Sequence, residues 1–287
     1  MDLRFLHSLV AVVETGSIAA AARREKLTAA AVSQRVQALE RDLGCTLLAR
    51  SAHAARPTEA CLALLPRARR ILSEAALLKD DIAGGALSGE LAVGAISTML
   101  TGLMPGALDI LTHAAPGLRL HLVPGSSLHL YDMLSRGALD AAVLVAPPFA
   151  LPKGLVAHLL RTEPLVLLSR EWVAPDEVDA AIGAAPFIRY DPGSWGGRLA
   201  ADYLTARGLF PQVRCDLDAL ETIALLVARG MGHALAPLWP GLVAEGLSIC
   251  PVPDAAPYVR RIVCLHPALP ARAQALRALI DALARVA

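Results

Sequence analysis

The amino-acid sequence predicts an α/β protein with about two domains: a small helical domain ending in a hairpin, one long helix, and a larger two-lobed α/β domain. Helical periodicity dominates the first 58 residues, and a second helical pattern runs from Thr58 to about Ala83. Beyond it, short apolar runs alternate with amphipathic stretches. The 287 residues are 55% hydrophobic and 18% charged, so a disordered chain is excluded and each domain can bury a core.

The first 58 residues have the pattern of three short helices. In the first helix, an apolar face is predicted at Leu3, Leu6, Val10 and Val13. Ser17 is placed to cap the second helix and Thr28 the third, and Gly44 is expected to end the third. Two helices joined by a short turn, at Glu25 to Leu27, form the helix-turn-helix pattern.

The third helix has one apolar and one polar face. The inward positions are predicted to be Val32, Val36, Leu39 and Leu43. The opposite face then carries Ala30, Gln34, Gln37 and Arg41, with Ser33 at its flank. Glutamine and serine can hydrogen-bond base edges in a major groove, and arginine can bind phosphate or guanine. A solvated polar face is the alternative, but the preceding helix, the tight turn and the following basic hairpin favour nucleic-acid contact.

The net charge of the first 58 residues supports that interpretation weakly. They contain eight basic and five acidic residues, whereas the whole chain has a net charge of only +1.

A long helix is predicted next. The apolar positions lie near a 3.5-residue repeat at Leu65, Ala68, Leu72, Ala75 and Ile82. This repeat predicts a dimerising helix rather than part of a domain core. Pro66 is expected to kink it or to cost about 3 kcal/mol of helix propensity. The glycine-rich residues 83–89 predict a flexible hinge and the domain boundary.

Eight strands are predicted beyond the hinge, with helices between most of them. They are Leu91 to Ala95, Leu118 to Val123, Ala141 to Val145, Leu165 to Leu168, Phe187 to Tyr190, Val213 to Leu217, Ala234 to Pro237 and Ile262 to Leu265. This order predicts a mainly parallel sheet. A break near Leu160 to Glu163 is expected to divide it into two lobes with a cleft between them.

Other classes of protein lack support in the sequence. No apolar stretch reaches the roughly 18 residues of a membrane span, and the N-terminus does not resemble a secretory signal, so a cytoplasmic protein is expected. Five widely spaced cysteines predict reduced thiols and no metal site. The sequence contains no nucleophile elbow, phosphate-binding loop, dinucleotide fingerprint or zinc-protease motif, so neither an enzyme nor a cofactor is predicted.

A family resemblance follows from the first sixty residues. Its central segment is Ala31-Val32-Ser33-Gln34-Arg35-Val36-Gln37-Ala38-Leu39-Glu40. This segment is preceded by Gly16-Ser17 and Ala21-Ala22 and followed by Leu43-Gly44, Leu47-Leu48, Arg50 and Arg56-Pro57-Thr58-Glu59-Ala60. Together these residues resemble the signature of LysR-type transcriptional regulators. The resemblance implies a winged helix-turn-helix over residues 1–58 whose third helix enters the major groove. It also implies a linker helix over residues 59–87 that pairs two subunits in a homodimer or homotetramer.

The residue pattern and the resemblance together give a set of candidate DNA contacts. They are Ser17, Thr28, Ala29, Ala30, Ser33, Gln34, Arg35, Gln37, Arg41, Arg50, His53 and Arg56. The family commonly has glutamine and then proline or serine at the positions of Ala29 and Ala30, and the wing around His53 is less basic than usual. The expected consequences are weak nonspecific binding and a shallow salt dependence.

Residues 88–287 resemble the effector domain of the same family, which is itself similar to type 2 periplasmic binding proteins. Lobe I is expected over about 88–162 plus 268–287, and lobe II over about 163–267. Matching segments include residues 94–98, 116–120 and 137–143. The implied function is a sequence-specific transcriptional regulator controlled by a small molecule. A solute-binding protein without a regulatory role is the alternative.

The candidate effector contacts lie where helices begin after strands. They are Ser97, Thr98, Ser126, Ser127, Trp195 and Arg198. Free N–H groups at such helix starts suit an anion, so an organic acid or amino acid is the expected effector. Helix capping, simple packing or a solvated surface charge is the alternative role for individual members of this set.

Overall fold

The computed structural model describes residues 2–50, 55–82, 87–242 and 246–287. The chain forms two compact units whose main division falls after residue 85. His53 and the first four residues of the predicted hinge, 83–86, lie outside the described residues. Within the described part of the chain, no helix combines the length and apolar character needed to cross a bilayer. The five cysteines are all free thiols.

The first unit begins with the helices α1 (Leu3–Thr15), α2 (Ile18–Glu25) and α3 (Ala29–Leu43). The predicted caps are present, since the Ser17 hydroxyl accepts a bond from the backbone N–H of Ala20 at 3.1 Å. The Thr28 hydroxyl accepts one from the N–H of Ala31 at 3.2 Å. Gly44 ends α3 with a φ of 67°, a left-handed conformation that strains glycine least.

The core of the first unit differs from the predicted faces at two positions. Leu3 and Leu43 were expected to face inward but are 42% and 40% exposed, because they lie at the helix ends where no neighbouring element covers them. Leu9 and Val12 are fully buried instead, since α1 packs against both α3 and the helix that follows the hairpin. The buried surface of α1 is therefore wider than a single stripe.

A hairpin and a long helix complete the first unit: β1 (Leu48–Arg50), β2 (Ala55–Pro57) and α4 (Glu59–Ile82). The two strands pair antiparallel. Thr58 connects them to α4, because its hydroxyl donates to the carbonyl of Thr46 at 2.8 Å and accepts from the N–H of Cys61 at 3.2 Å. The helix continues through Pro66.

The prediction that α4 is not part of a domain core is wrong for its first half. Cys61, Leu65 and Ala68 are 5% exposed or less and belong to the core of the first unit, with Leu72 partly buried beside them. Burying this stripe against α1 removes apolar area from water within one subunit, so the same side chains cannot form the whole of a dimer seam.

The second unit contains strands and helices in alternation. Its strands are β3 (Ser88–Ala95), β4 (Gly117–Pro124), β5 (Ala141–Val145), β6 (Leu155–Glu163), β7 (Leu165–Ser169), β8 (Phe187–Tyr190), β9 (Val213–Leu217), β10 (Ala234–Pro237), β11 (Ser248–Pro251) and β12 (Arg260–Pro267). Its helices are α5 (Ser97–Gly102), α6 (Met104–Ala114), α7 (Ser127–Ser135), α8 (Val178–Ala184), α9 (Trp195–Ala206), α10 (Leu220–Ala228) and α11 (Ala273–Val286).

These strands form two lobes. In lobe I the strand order is β4, β3, β5, β12, β6, in which β3 is parallel to β4 and β5. In lobe II, β7 lies between β10 and β11 and is antiparallel to both, and β8 pairs parallel with β9. The chain crosses from lobe I to lobe II between β6 and β7 and returns before β12.

Three expectations for this unit need correction. Strands β6 and β11 were not predicted, since His158 interrupts the apolar residues of β6 and Arg161, Thr162 and Glu163 end them. The sheets are mixed rather than mainly parallel, because β12 returns to lobe I without the crossover helix that a parallel neighbour requires. Residues 260–267 consequently belong to lobe I and not to lobe II.

Candidate DNA-binding surface and effector cleft

The polar face of α3 is exposed. Gln34, Gln37 and Arg41 lie in a row along it and line a shallow groove with residues 44–46. The Nε2 atom of Gln37 donates to the hydroxyl of Ser33 at 3.3 Å, so the flanking serine is connected to the same row. Amide, hydroxyl and guanidinium groups on one helix face can pair with base edges and phosphates.

The first turn of α3 also faces solvent. Thr28, Ala29 and Ala30 are exposed there, beside the row that Gln34 begins. In the hairpin, Arg56 is exposed and pairs in register with Ala49. Arg50 ends β1.

Arg35 is placed differently from the other candidates. Its side chain is only 25% exposed, and Nη1 lies 3.5 Å from Oε2 of Glu25, whose side chain is 4% exposed. The same carboxylate accepts a bond from the hydroxyl of Ser8 at 2.7 Å and lies 2.7 Å from Nδ1 of His7. Arg35 therefore joins α3 to α1 and to the end of α2. Ser17 is likewise occupied by its capping bond.

Glu40 has a role that was not predicted from the sequence. Its Oε1 accepts bonds from the backbone N–H groups of Leu47 and Leu48 at 2.8 and 3.1 Å. One carboxylate on α3 thus holds the start of the hairpin, and it fixes the hairpin relative to the exposed row of α3. The signal was available, because Glu40 belongs to the motif that carries the family resemblance.

The cleft between the lobes of the second unit has a volume of about 410 Å³. Five of the six predicted effector residues line it: Ser97, Thr98, Ser126, Ser127 and Trp195. The sixth, Arg198, does not. Its side chain is 66% exposed and lies 3.9 Å from Asp202 on the next turn of α9, because Arg198 is one turn further along the helix, beyond the residues that line the cleft.

The hydroxyl groups in the cleft have distinct partners. Ser97 donates to Oε2 of Glu221 at 3.1 Å, a bond from α5 of lobe I to α10 of lobe II. Ser127 is buried and accepts from the N–H of Val145 at 3.2 Å. Ser126 accepts from the N–H of His129 at 3.4 Å, so simple capping describes Ser126 best.

A buried ion pair at the base of the cleft was missed from the sequence. Nε of Arg260 donates to Oε2 of Glu163 at 2.6 Å, with the two side chains 3% and 0% exposed, and Nη2 of Arg260 donates to the hydroxyl of Thr98 at 3.2 Å. Burial raises the pKa of Glu163, and the charges of Arg260 and Arg161 oppose that shift. The two residues are register partners on β6 and β12, 97 positions apart in the chain.

Three aromatic rings meet beside the cleft. Tyr131 of α7, Phe149 after β5 and Trp195 of α9 are in mutual edge contact, with ring centroids 5.3 to 5.9 Å apart. Trp195 belongs to lobe II and the other two rings to lobe I. Such contacts are favourable beyond simple area burial, so they stabilise the present separation of the lobes.

Two glycines in the first turn of α9 allow two residues of the cleft lining, Tyr190 and Asp191, to lie close to this helix. A Cβ atom on Gly196 would overlap the hydroxyl of Tyr190, and one on Gly197 would overlap the carbonyl of Asp191. Both Tyr190 and Asp191 line the cleft. The close approach of β8 to α9 therefore depends on the absence of side chains at these positions.

Comparison with known proteins identifies the family. A model described as "LysR substrate binding domain" matches residues 84–287, and one described as "Bacterial regulatory helix-turn-helix protein, lysR family" matches residues 3–62. The chain belongs to the LysR family. As a LysR-type protein it is a DNA-binding transcriptional regulator with an effector domain, and not a plain solute-binding protein. The predicted family and two-domain architecture are confirmed.

Two curated relatives of this LysR-type regulator are named as regulatory proteins. The chain is 30% identical over 245 residues to the HTH-type transcriptional regulator IlvR of Caulobacter vibrioides. This alignment covers 83% of this chain and 82% of IlvR. The chain is also 30% identical over 243 residues to the nitrogen assimilation regulatory protein nac of Klebsiella aerogenes, with 83% and 78% of the two chains covered.

Three solved structures show the same fold. A full-length OxyR variant from Pseudomonas aeruginosa has a TM-score of 0.72 at 23% identity, over 99% of this chain and 94% of that one. Full-length CbnR with its target DNA has a TM-score of 0.67 at 21% identity and full coverage of both chains. LysG from Corynebacterium glutamicum with bound effector Arg has a TM-score of 0.63 at 22% identity, over 100% and 98% of the chains.

Proposed function

We propose that this regulator places α3 in the major groove of its operator, with Gln34, Gln37 and Arg41 at base edges and Arg56 of the hairpin at phosphate. The exposed polar row of α3 carries this proposal, since Glu40 holds the hairpin in a defined position beside it. CbnR, which has the same fold, has been solved with its target DNA, and this supports DNA binding by the present chain. Ser33, Thr28, Ala29 and Ala30 are then near the DNA, and Arg35 acts by positioning α3.

Replacing Gln34 with alanine is expected to change sequence preference, whereas Arg56→Ala weakens binding to all DNA alike. A specific base contact discriminates by about 1–3 kcal/mol, so Gln34→Ala should reduce the preference for operator over random DNA by about tenfold or more. Arg56→Ala should reduce the salt slope of binding by about 1. The measurement is binding to an operator found by genome-wide mapping and to scrambled DNA, at several salt concentrations.

Gln274→Ala is the matched control, because Gln274 is also an exposed helical glutamine but lies in the second unit. It should leave both affinities unchanged. Unaltered binding of Gln34→Ala to operator and random DNA would show that α3 does not contact bases.

We propose further that residues 1–58 bind DNA, residues 59–87 link the domains, and residues 88–287 bind a small organic acid or amino acid in the cleft. The volume of about 410 Å³ lies within the range usual for small-molecule sites. LysG carries a bound effector, Arg, in its structure, which supports a ligand of this size. The regulator is expected to act in the cytoplasm, where the operator is, and to catalyse no reaction.

We propose that α4 also joins subunits into a dimer or tetramer. Its stripe of Cys61, Leu65 and Ala68 is already covered by α1, so the partner must contact another side. Leu62, 55% exposed, is an apolar residue available there. Leu72 is less suitable than Leu62 as a test position, because Leu72 also packs on the core of its own subunit.

Leu62→Asp is expected to weaken self-association while leaving the first unit folded. Burying an aspartate in an apolar interface between subunits is costly, because its charge must be desolvated. The mass in solution should therefore fall toward that of one chain, and operator affinity should fall with it. Sedimentation and operator binding measure the two effects. Ala60→Asp, on an exposed position of the same helix, is the control. Native mass and native affinity of Leu62→Asp would remove this side of α4 from the interface.

A further inference from the structure

The charged groups that line the cleft have both signs. Among the described residues that line it, Arg260 is the one cation, and Asp191 and Asp218 are the carboxylates. Arg260 is already paired with Glu163, whose Oε1 also lies 3.3 Å from Nε of Arg161. A ligand that carries only a carboxylate would meet a guanidinium with a partner and two acidic groups nearby. The negative charges of Asp191 and Asp218 therefore disfavour a ligand that carries only a carboxylate.

Asp218 differs from the other carboxylate of the cleft. Oδ1 of Asp191 accepts a bond from the N–H of Gly193 at 2.9 Å, which holds its side chain. Asp218 is exposed just before α10 and has no hydrogen-bond or ion-pair partner in the described part of the chain. It is therefore the acidic group in the cleft that is available to a positively charged ligand group.

Asp218 and Arg260 both act on the hydroxyl of Tyr190. Burial raises the pKa of Tyr190, the charge of Arg260 opposes this shift, and the charge of Asp218 adds to it. The negative and the positive group of the cleft thus line it together with one buried tyrosine that both of them affect. A small molecule with a carboxylate and an ammonium group close together complements that arrangement.

Apart from its hydroxyl groups, the rest of the cleft is largely apolar. Ile96, Leu128, Val145 and Leu220 line it together with Trp195, whose ring joins the cluster of Tyr131 and Phe149. Burying a hydrocarbon group against these side chains is favourable by the hydrophobic effect. The ligand is therefore expected to carry an apolar side chain beside its charged groups.

We propose that the cleft binds an α-amino acid with an apolar side chain, with its carboxylate toward Arg260 and Thr98 and its ammonium group on Asp218. This proposal rests on the effector role proposed for the cleft and narrows it from organic acids in general to zwitterions. Asp218 is then the residue that determines specificity for an amino acid over an acid without the amino group.

The first test compares three matched probes on the full-length protein: an amino acid, the carboxylic acid that lacks its amino group, and the amine that lacks its carboxylate. The panel is alanine, valine, leucine and phenylalanine with their analogues, and the readouts are melting temperature and calorimetric titration. The best amino acid should bind at least about tenfold more tightly than either of its analogues, as expected for one charge-assisted hydrogen bond. Equal binding of an analogue, or no binding of any amino acid, would overturn the proposal.

The second test uses Asp218→Asn. It should lower affinity for the amino acid about tenfold or more, and it should leave the acid without the amino group bound at least as well as before, because one repelling carboxylate is gone. Asp218→Glu, which keeps the charge, should retain most of the preference. Asp202→Asn is the control, because it removes an exposed carboxylate of the same unit that does not line the cleft. An unchanged preference in Asp218→Asn would overturn the assignment.

Operator binding without ligand, measured in parallel, separates two kinds of failure. A protein that binds its operator but prefers no amino acid contradicts only the proposal for the cleft. A protein that fails to bind any operator contradicts the proposed DNA-binding surface instead.

Discussion

Arg260→Met is expected to lower the free energy of unfolding by about 3 kcal/mol or more, because it leaves the Glu163 carboxylate buried without its main partner. Glu163 is fully buried, and Arg161 at 3.3 Å would be its remaining charged neighbour. Urea unfolding of the full-length protein, followed by tryptophan fluorescence, measures the effect in the second unit, where Trp172, Trp195 and Trp239 all lie.

The double variant Glu163→Gln with Arg260→Met separates charge from packing. Removing both charges should restore most of the lost stability, since the penalty of the single variant comes from the unpaired carboxylate. The double variant should still lose affinity for a carboxylate ligand, because the guanidinium is absent. A single variant as stable as the parent would show that Glu163 does not depend on Arg260.

Glu25→Ala is expected to destabilise the first unit by about 2 kcal/mol. Ser8 is fully buried and would lose its acceptor, and Arg35 would lose its ion-pair partner. Because these contacts join α1, α2 and α3, operator affinity should fall as well. Hydrogen exchange of peptides from residues 3–43 in the full-length protein reports the local stability.

Arg35→Ala decides between the two roles of that arginine. If it positions α3, as its contacts with Glu25 and Ser8 indicate, the variant should increase hydrogen exchange much as Glu25→Ala does. Gln34→Ala, one position earlier on the exposed face, should leave exchange unchanged. Lost DNA affinity with native exchange in Arg35→Ala would instead support the direct DNA contact that the family resemblance implies.

Much of the helical domain could be predicted because its signals are local. Caps at Ser17 and Thr28 and the stop at Gly44 depend on a few consecutive residues. The exposed row of Gln34, Gln37 and Arg41 follows from helical periodicity alone. The strands that were found are likewise apolar runs, which one stretch of sequence reveals.

The cleft illustrates where such signals end. Helix starts after strands located Ser97, Ser126 and Trp195, since loops at the ends of neighbouring strands converge in this architecture. The charge of the site was assigned to Arg198, which is close to Trp195 in sequence but does not line the cleft. Only the start of α9 lines the cleft, so a residue one turn further along the helix lies outside it.

By itself, the sequence determined the family, the helix-turn-helix with its exposed polar row, and the order of most strands. Only the tertiary structure decided that α4 contributes Leu65 and Ala68 to the core of its own domain, and that Arg260 rather than Arg198 lies in the cleft. The physical reason is sequence distance: helix faces and caps are set by neighbours within a turn or two, whereas the pairing of Glu163 with Arg260 exists only when the chain returns from one lobe to the other and β12 lies beside β6.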